Sequence, residues 1–168
     1  AIWRHNYKPS MRDVVNPCRL FCLNDEAGTA MFSWPEGKRK PVIPIPYAEE
    51  TMHGFEYQAA SHVIARGMER EGLEMVKAVR DRYDGARRNP WNEFECGSNY
   101  ARSMASFALL PIYAGFVFDI PKGRMGMKPL RAGEDGQFLW SVDGAWGVMR
   151  FEGAQVSLEV LGGRLELR

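Results

Sequence analysis

Residues 87–110 read RRNPWNEFECGSNYARSMASFALL and bring a tryptophan (Trp91), two carboxylates (Glu93 and Glu95), a cysteine (Cys96) and an arginine (Arg102) into one short span. Ser98 is placed to cap the free amides of a helix that runs through Tyr100, Met104, Phe107 and Ala108 until Gly115 ends it, with Pro111 kinking the last turn. Glu93 and Glu95, two residues apart, share one side of an extended segment just ahead of that helix, and Arg102 lies about one turn into it. One reading of this group needs no ligand. A carboxylate favours the helix dipole, the other pairs with Arg102, and Trp91 fills the core. In the other reading, carboxylate and guanidinium divide the donors and acceptors of a sugar's hydroxyls while Trp91 offers a flat apolar face. The residues alone leave both open.

On the N-terminal side of this stretch the pattern is helical. From Gly54, apolar residues recur at three and four (Phe55, Ala59, Val63; Ala60, Ile64), which predicts a helix ending near Gly67. Leu73, Val76, Val79 and Tyr83 form a second stripe, with Lys77, Arg80 and Asp81 off it, closed by Asp84–Gly85. Residues 1–50 contain too many prolines for a long helix or a central strand, as in SWPEGKRKPVIPIPYAEE, and are read as loop with a short helix near Arg12 to Leu23. On the C-terminal side of Gly115 the period shortens to two in FVFDIP, QFLWSV, WGVMRF, QVSLEV and RLELR, separated by DG and GG turns. Helices followed by strands predict an α+β chain, mainly helical, with C-terminal antiparallel β-hairpins. The expected order within a single domain, 1–168, is loop-rich 1–50, helical 54–115 and hairpins 116–168. It argues against a nucleotide-binding parallel sheet, and GRMGMKPL has the wrong spacing for a phosphate loop.

Composition narrows the function classes. With 45% hydrophobic residues the chain can bury a core, and 22 basic against 21 acidic residues leave a formal net charge of +1. No phosphate-tracking field is present, so nucleic acid is not expected as a partner, and the basic run GKRK at 37–40 reads as a solvated loop. The apolar run from Phe107 to Val117 is broken by Pro111 and Gly115 and is too short to span a bilayer. The first residues lack a secretory h-region, so no membrane partner and a cytoplasmic location are the expectations. Cys18 and Cys22 could clip a metal only with a second pair of ligands, and none is evident, so neither metal nor other cofactor is expected. His53 and His62 stand alone as imidazoles, and acidic neighbours make Cys96 a poor nucleophile.

The run from Gly54 to Asp119, with PWNEFECGSNYARSMAS (90–106) as its most specific part, resembles the C-terminal catalytic region of glycoside hydrolase family 116, the bile-acid or non-lysosomal β-glucosidase family. The tail from Ser141, SVDGAWGVMRFEGAQVSLEVLGGRLELR, resembles the strands that follow it there. The resemblance implies part of an (α/α)6 toroid that hydrolyses β-glucosides with retention. It places Glu93 and Arg102 on the acid and arginine that hold the glucose hydroxyls, with Trp91 and Glu95 beside them. YAEETMHGFEYQ (47–58) resembles a family stretch in which an aromatic ring lines the sugar site, but this chain has Met52 there.

Retaining hydrolysis needs two carboxyl groups about 5 Å apart, and the resemblance implies that both lie upstream of the matched region, so no residue here is expected to be catalytic unless Glu50, Glu56 or Glu95 is recruited. A full toroid needs well over about 250 residues, so this chain holds only a part. Its apolar helix faces at Val63, Ile64, Val76 and Leu109 would then want a partner, either a complementary N-terminal piece or another copy of the chain. The expected function is the sugar-holding portion of a β-glucosidase-like hydrolase, inactive alone, with a glucose-like carbohydrate as ligand. The alternatives are a non-catalytic carbohydrate-binding module and a structural or oligomerisation remnant.

Overall fold

Two helices, α2 (His53–Ala65) and α3 (Glu69–Arg82), pack as an antiparallel pair in the first half of the chain. They are joined through Gly67, whose positive φ lets the chain reverse within a few residues. Their contact is a core of Ala60, Val63, Met75 and Ala78, extended by Tyr7. The computed structural model describes residues 1–14, 21–34, 36–91 and 102–166. The chain divides into two compact units, Ala1–Ser106 and Phe107–Arg168.

In the first unit a short helix α1 (Ile2–Asn6) precedes β1 (Tyr7–Lys8), which pairs antiparallel with β2 (Gly28–Thr29) through Tyr7↔Thr29 and Lys8↔Gly28. Trp3 stacks on Tyr7, with ring centroids 4.3 Å apart. The short helix expected near Arg12 to Leu23 reduces to a single 3-10 turn, Met11–Asp13, and residues 15–20 lie outside the described residues. The second unit contains α4 (Leu109–Ala114), the hairpin β3 (Phe116–Asp119) with β4 (Arg124–Met127), and a three-stranded antiparallel sheet in the order β5 (Gly136–Val142), β6 (Ala145–Glu152), β7 (Gln155–Gly163). Asp143–Gly144 forms the two-residue turn between the paired residues Val142 and Ala145. Alternation along these strands puts Phe138, Trp140, Val142, Ala145, Met149 and Phe151 on one face, and on the other mixes Gln137, Ser141, Arg150, Glu152 and Glu159 with Leu139, Trp146 and Val148. Trp140 is the buried centre of the apolar face.

Two glycines carry this second unit. Gly115 ends α4 in the left-handed region (φ 56°), and a Cβ there would stand 1.7 Å from the Lys128 carbonyl oxygen. Gly162 lies opposite Trp146 across the β6–β7 pair, and a Cβ would meet the indole at 2.4 Å.

The expectation of a mainly helical, partial (α/α)6 toroid is overturned. The described residues hold four α-helices and seven strands in three small antiparallel sheets, and only α2 and α3 form a long helix pair. Pro111 accounts for much of the difference. It stands in the first turn of α4, where its missing N–H costs no intrahelical hydrogen bond, so it accompanies a helix start rather than kinking a helix end. The long third helix is therefore replaced, over its described part, by a 3-10 turn (Arg102–Ala108) followed by the six residues of α4. Among the strands, β4 has no counterpart in the sequence pattern, because RMGM lacks apolar alternation, and the described part of RLELR is not strand. The apolar helix faces expected to want a partner are also placed differently. Val63 and Ile64 are buried within the first unit, Val76 packs against its core, and Leu109 is half-buried.

Candidate functional site

Two residues singled out in the sequence, 50 positions apart, meet at the start of α2. Met52 is the buried N-cap residue of α2, in extended conformation, and its Sδ accepts a hydrogen bond from Arg102 Nη1 at 3.5 Å. The Arg102 guanidinium also lies over the Phe55 ring, 5.4 Å from its centroid, an attractive cation–π arrangement. This approach depends on Gly54, because a Cβ there would stand 2.6 Å from the Arg102 Cβ. The aromatic ring at this corner is thus Phe55, not residue 52. Trp91 is 73% exposed on a turn, and its backbone N–H donates to Asn89 Oδ1 at 2.9 Å, so it does not fill the core. Glu93, Glu95 and Cys96 lie outside the described residues.

Beneath the corner is a set of buried charged and polar groups. Glu56 on α2 and Arg82 on α3 form an ion pair with both side chains 1% exposed. Glu56 Oε1 accepts from the Thr29 amide at 2.7 Å and from Arg82 Nη1 at 3.2 Å, and Oε2 accepts from Arg82 Nη2. Arg82 Nη1 also donates to the Ala27 carbonyl. One guanidinium thereby ties both helices to β2. Burial works against the Arg82 charge, but Glu56 outweighs it and holds the guanidinium above its ordinary range. Nearby, Glu50 accepts from the Phe21 amide at 3.2 Å and from its neighbour's amide, Thr51, at 3.0 Å. Both Glu56 carboxylate oxygens are thus held by donors from β2 and α3.

His53, the first residue of α2, is buried with its ring edge-on to Tyr83 at 4.5 Å. Burial first, then the positive charges of Arg82 and Arg102, push its imidazole down to about 4, so it is neutral at pH 7. Cys22 is a buried free thiol. Burial and the charges of Glu56 and Glu26 outweigh the pull of Arg82 and raise it to about 11, which leaves it protonated and a poor nucleophile or metal ligand. Cys18 lies outside the described residues, and among those described no three His, Cys, Asp or Glu side chains are grouped to hold a metal ion. His62 is exposed on α2.

Phe55 also lines a cavity of about 550 Å³ between α1, β2 and α2. Thr29, only 6% exposed, is part of its wall, and the buried hydroxyl of this residue has no hydrogen-bond partner among the described residues. Gln58, His62 and Asn6 add polar atoms, and Met31 and Ala59 add apolar surface. Glu56 also lines this space, with its charge matched by Arg82, so the wall presents uncharged donors and acceptors beside an aromatic ring. Sequence reasoning missed Thr29 and this cavity because α1 and β2 are too short to announce themselves by periodicity. No family model matches the chain, and no curated protein matches it.

Proposed function

We propose that this chain holds a glucose-like carbohydrate at the start of α2 and is the sugar-binding portion of a β-glucosidase-like glycoside hydrolase that does not turn over substrate alone. The observation that carries the reading is the meeting of Met52 and Arg102, two of the three described residues assigned to one sugar site, the third being the exposed Trp91. A guanidinium offers several N–H donors in a plane, which suits adjacent hydroxyl oxygens. The Phe55 ring supplies an apolar face, and Thr29, whose buried hydroxyl has no hydrogen-bond partner among the described residues, lines the adjoining cavity. In this reading Glu93 accepts from the sugar hydroxyls opposite Arg102, and the exposed Trp91 stacks on the ligand's open side.

Hydrolysis requires a second piece that brings the close carboxyl pair. Exposed Phe107, Leu110, Val117 and Phe118 in the second unit favour such a piece, or another copy of the chain, as a partner. Calorimetry with glucose and with gluconolactone tests the sugar site. The expected result is binding that weakens about ten-fold in Arg102→Ala and in Glu93→Gln, the loss of roughly one charge-assisted hydrogen bond. Equal heats for wild type and both variants would remove the assigned site, and turnover of a glucoside by the isolated chain would remove the non-catalytic assignment.

A further inference from the structure

A second cavity, of about 690 Å³, opens in the first unit between α1, β1 and the segment 30–49. Its floor is fixed by backbone bonds that carry the chain away from β2: Ala30 N–H donates to Asn6 at 2.9 Å, Met31 N–H to Glu50 at 2.9 Å and Phe32 N–H to Ala48 at 2.8 Å, each to a carbonyl oxygen. The polar groups on the wall are predominantly donors. Lys40 is matched by an ion pair with Glu49. Arg4 and Lys8 have no acidic partner among the described residues; the wall's remaining carboxylate, Glu36, is on an exposed residue as Arg4 is and has no ion-pair partner there either, so the cations outnumber the carboxylates by one. The indole Nε1 of Trp34 is buried and donates to no acceptor among the described residues, an arrangement that costs free energy unless something accepts from it. The apolar part of the wall comes from the Trp34 and Phe32 rings. Two cations without acidic partners and an orphan N–H beside two aromatic rings define the complement of a particular chemistry. The matching ligand has an oxyanion at one end and a flat apolar group at the other.

We propose that this cavity is a binding site for a small aromatic anion, a phosphate monoester or a carboxylate, whose oxyanion is held by Arg4 and Lys8 and whose ring lies against Trp34 and Phe32. The two cavities share Ala30 on their walls but none of the charged or aromatic side chains, and this site does not depend on the carbohydrate reading. A phosphate monoester would accept from more donors than a carboxylate and carries up to two charges against two cations, so the tighter of two matched probes identifies the head group.

Calorimetry at low ionic strength with phenyl phosphate, benzoate and inorganic phosphate tests it. At least one aromatic anion is expected to bind more tightly than inorganic phosphate, and to weaken about ten-fold or more in the double variant Arg4→Ala/Lys8→Met, which keeps an apolar side chain at position 8. Trp34→Phe keeps an aromatic ring and removes the N–H, and is expected to weaken the same ligand by a smaller factor. Arg102→Ala is expected to leave it unchanged, which separates this site from the sugar corner. Absence of binding by both aromatic anions would overturn the proposal. So would unchanged affinity in the double variant, or inorganic phosphate binding as tightly as the better-binding of the two aromatic anions.

Discussion

Two arginine–glutamate pairs of the same chemistry stand in opposite surroundings. Arg82–Glu56 in the first unit is 1% exposed at both ends, joins α3 to α2 and is hydrogen-bonded to the backbone of Thr29 in β2 and of Ala27 just before it. Arg150–Glu159 in the second unit joins the neighbouring strands β6 and β7, with side chains 37% and 44% exposed. Water screens the second pair and nothing screens the first, so the same two residue types act as a keystone in one unit and as decoration in the other. The contrast extends to the architecture. Side-chain bonds in the first unit reach across as many as 62 residues, as in Arg88 to Glu26, whereas β5, β6 and β7 are sequence neighbours paired in order.

The sharpest way to break this comparison is to remove one end of each pair. Arg82→Met leaves Glu56 buried without its counter-charge and is expected to cost about 3–5 kcal/mol in urea unfolding, with much of that recovered when Glu56 is also made apolar. A loss under about 1 kcal/mol would mean that the buried pair behaves like a surface pair.

Acid is expected to act on the first unit next. The folded His53 imidazole titrates at about 4 against an ordinary 6.5, so between those values the unfolded chain binds a proton that the folded one refuses. Stability is therefore full above pH 6.5 and falls as the pH drops toward 4. The loss is at most about 3–4 kcal/mol, since each pH unit between the two titrations removes roughly 1.4 kcal/mol. Glu26 loses its contribution only at lower pH. Burial opposes its ionisation, but hydrogen bonds from Arg88 and from the Leu23 amide prevail and hold its carboxyl below the ordinary range. An NMR titration of the His53 ring with a midpoint near 6.5 would sink this prediction. The smallest effect belongs to the exposed pair: Arg150→Ala is expected to move the unfolding free energy by about 0.2–1 kcal/mol or less, and less still in high salt.

The sequence is most readable where structure is local. The alternation in QFLWSV, WGVMRF and QVSLEV and the Asp143–Gly144 turn state the three-stranded sheet outright, because cross-strand partners there lie within a few residues of the turns. α2 and α3 stand within a few residues of where the apolar spacing puts them, yet their buried faces do not follow it. Phe55 and Leu73, which belong to the apolar stripes, are exposed, whereas His53 and Glu56 on α2 and Arg82 at the end of α3 are buried. Burying a glutamate makes sense only in view of an arginine 26 positions later and an amide 27 positions earlier, and periodicity carries no such information. The candidate site is less readable still. Met52 and Arg102 meet across 50 positions that no periodicity links, and the Thr29 cavity depends on a two-stranded ribbon that no sequence signal marks.

The two glycines of the second unit differ in what a second substitution could repair. At Gly162 the nearest atoms to an added methyl all belong to the Trp146 indole, so a smaller residue at 146 would open the space, and these two positions can change together. At Gly115 the obstacle is the peptide carbonyl of residue 128, which every amino acid carries, and the backbone there is left-handed as well. No partner mutation can relieve it. Any drift of this sequence that keeps the turn from α4 into β3 must therefore leave position 115 untouched, whereas 146 and 162 remain free to wander as a pair.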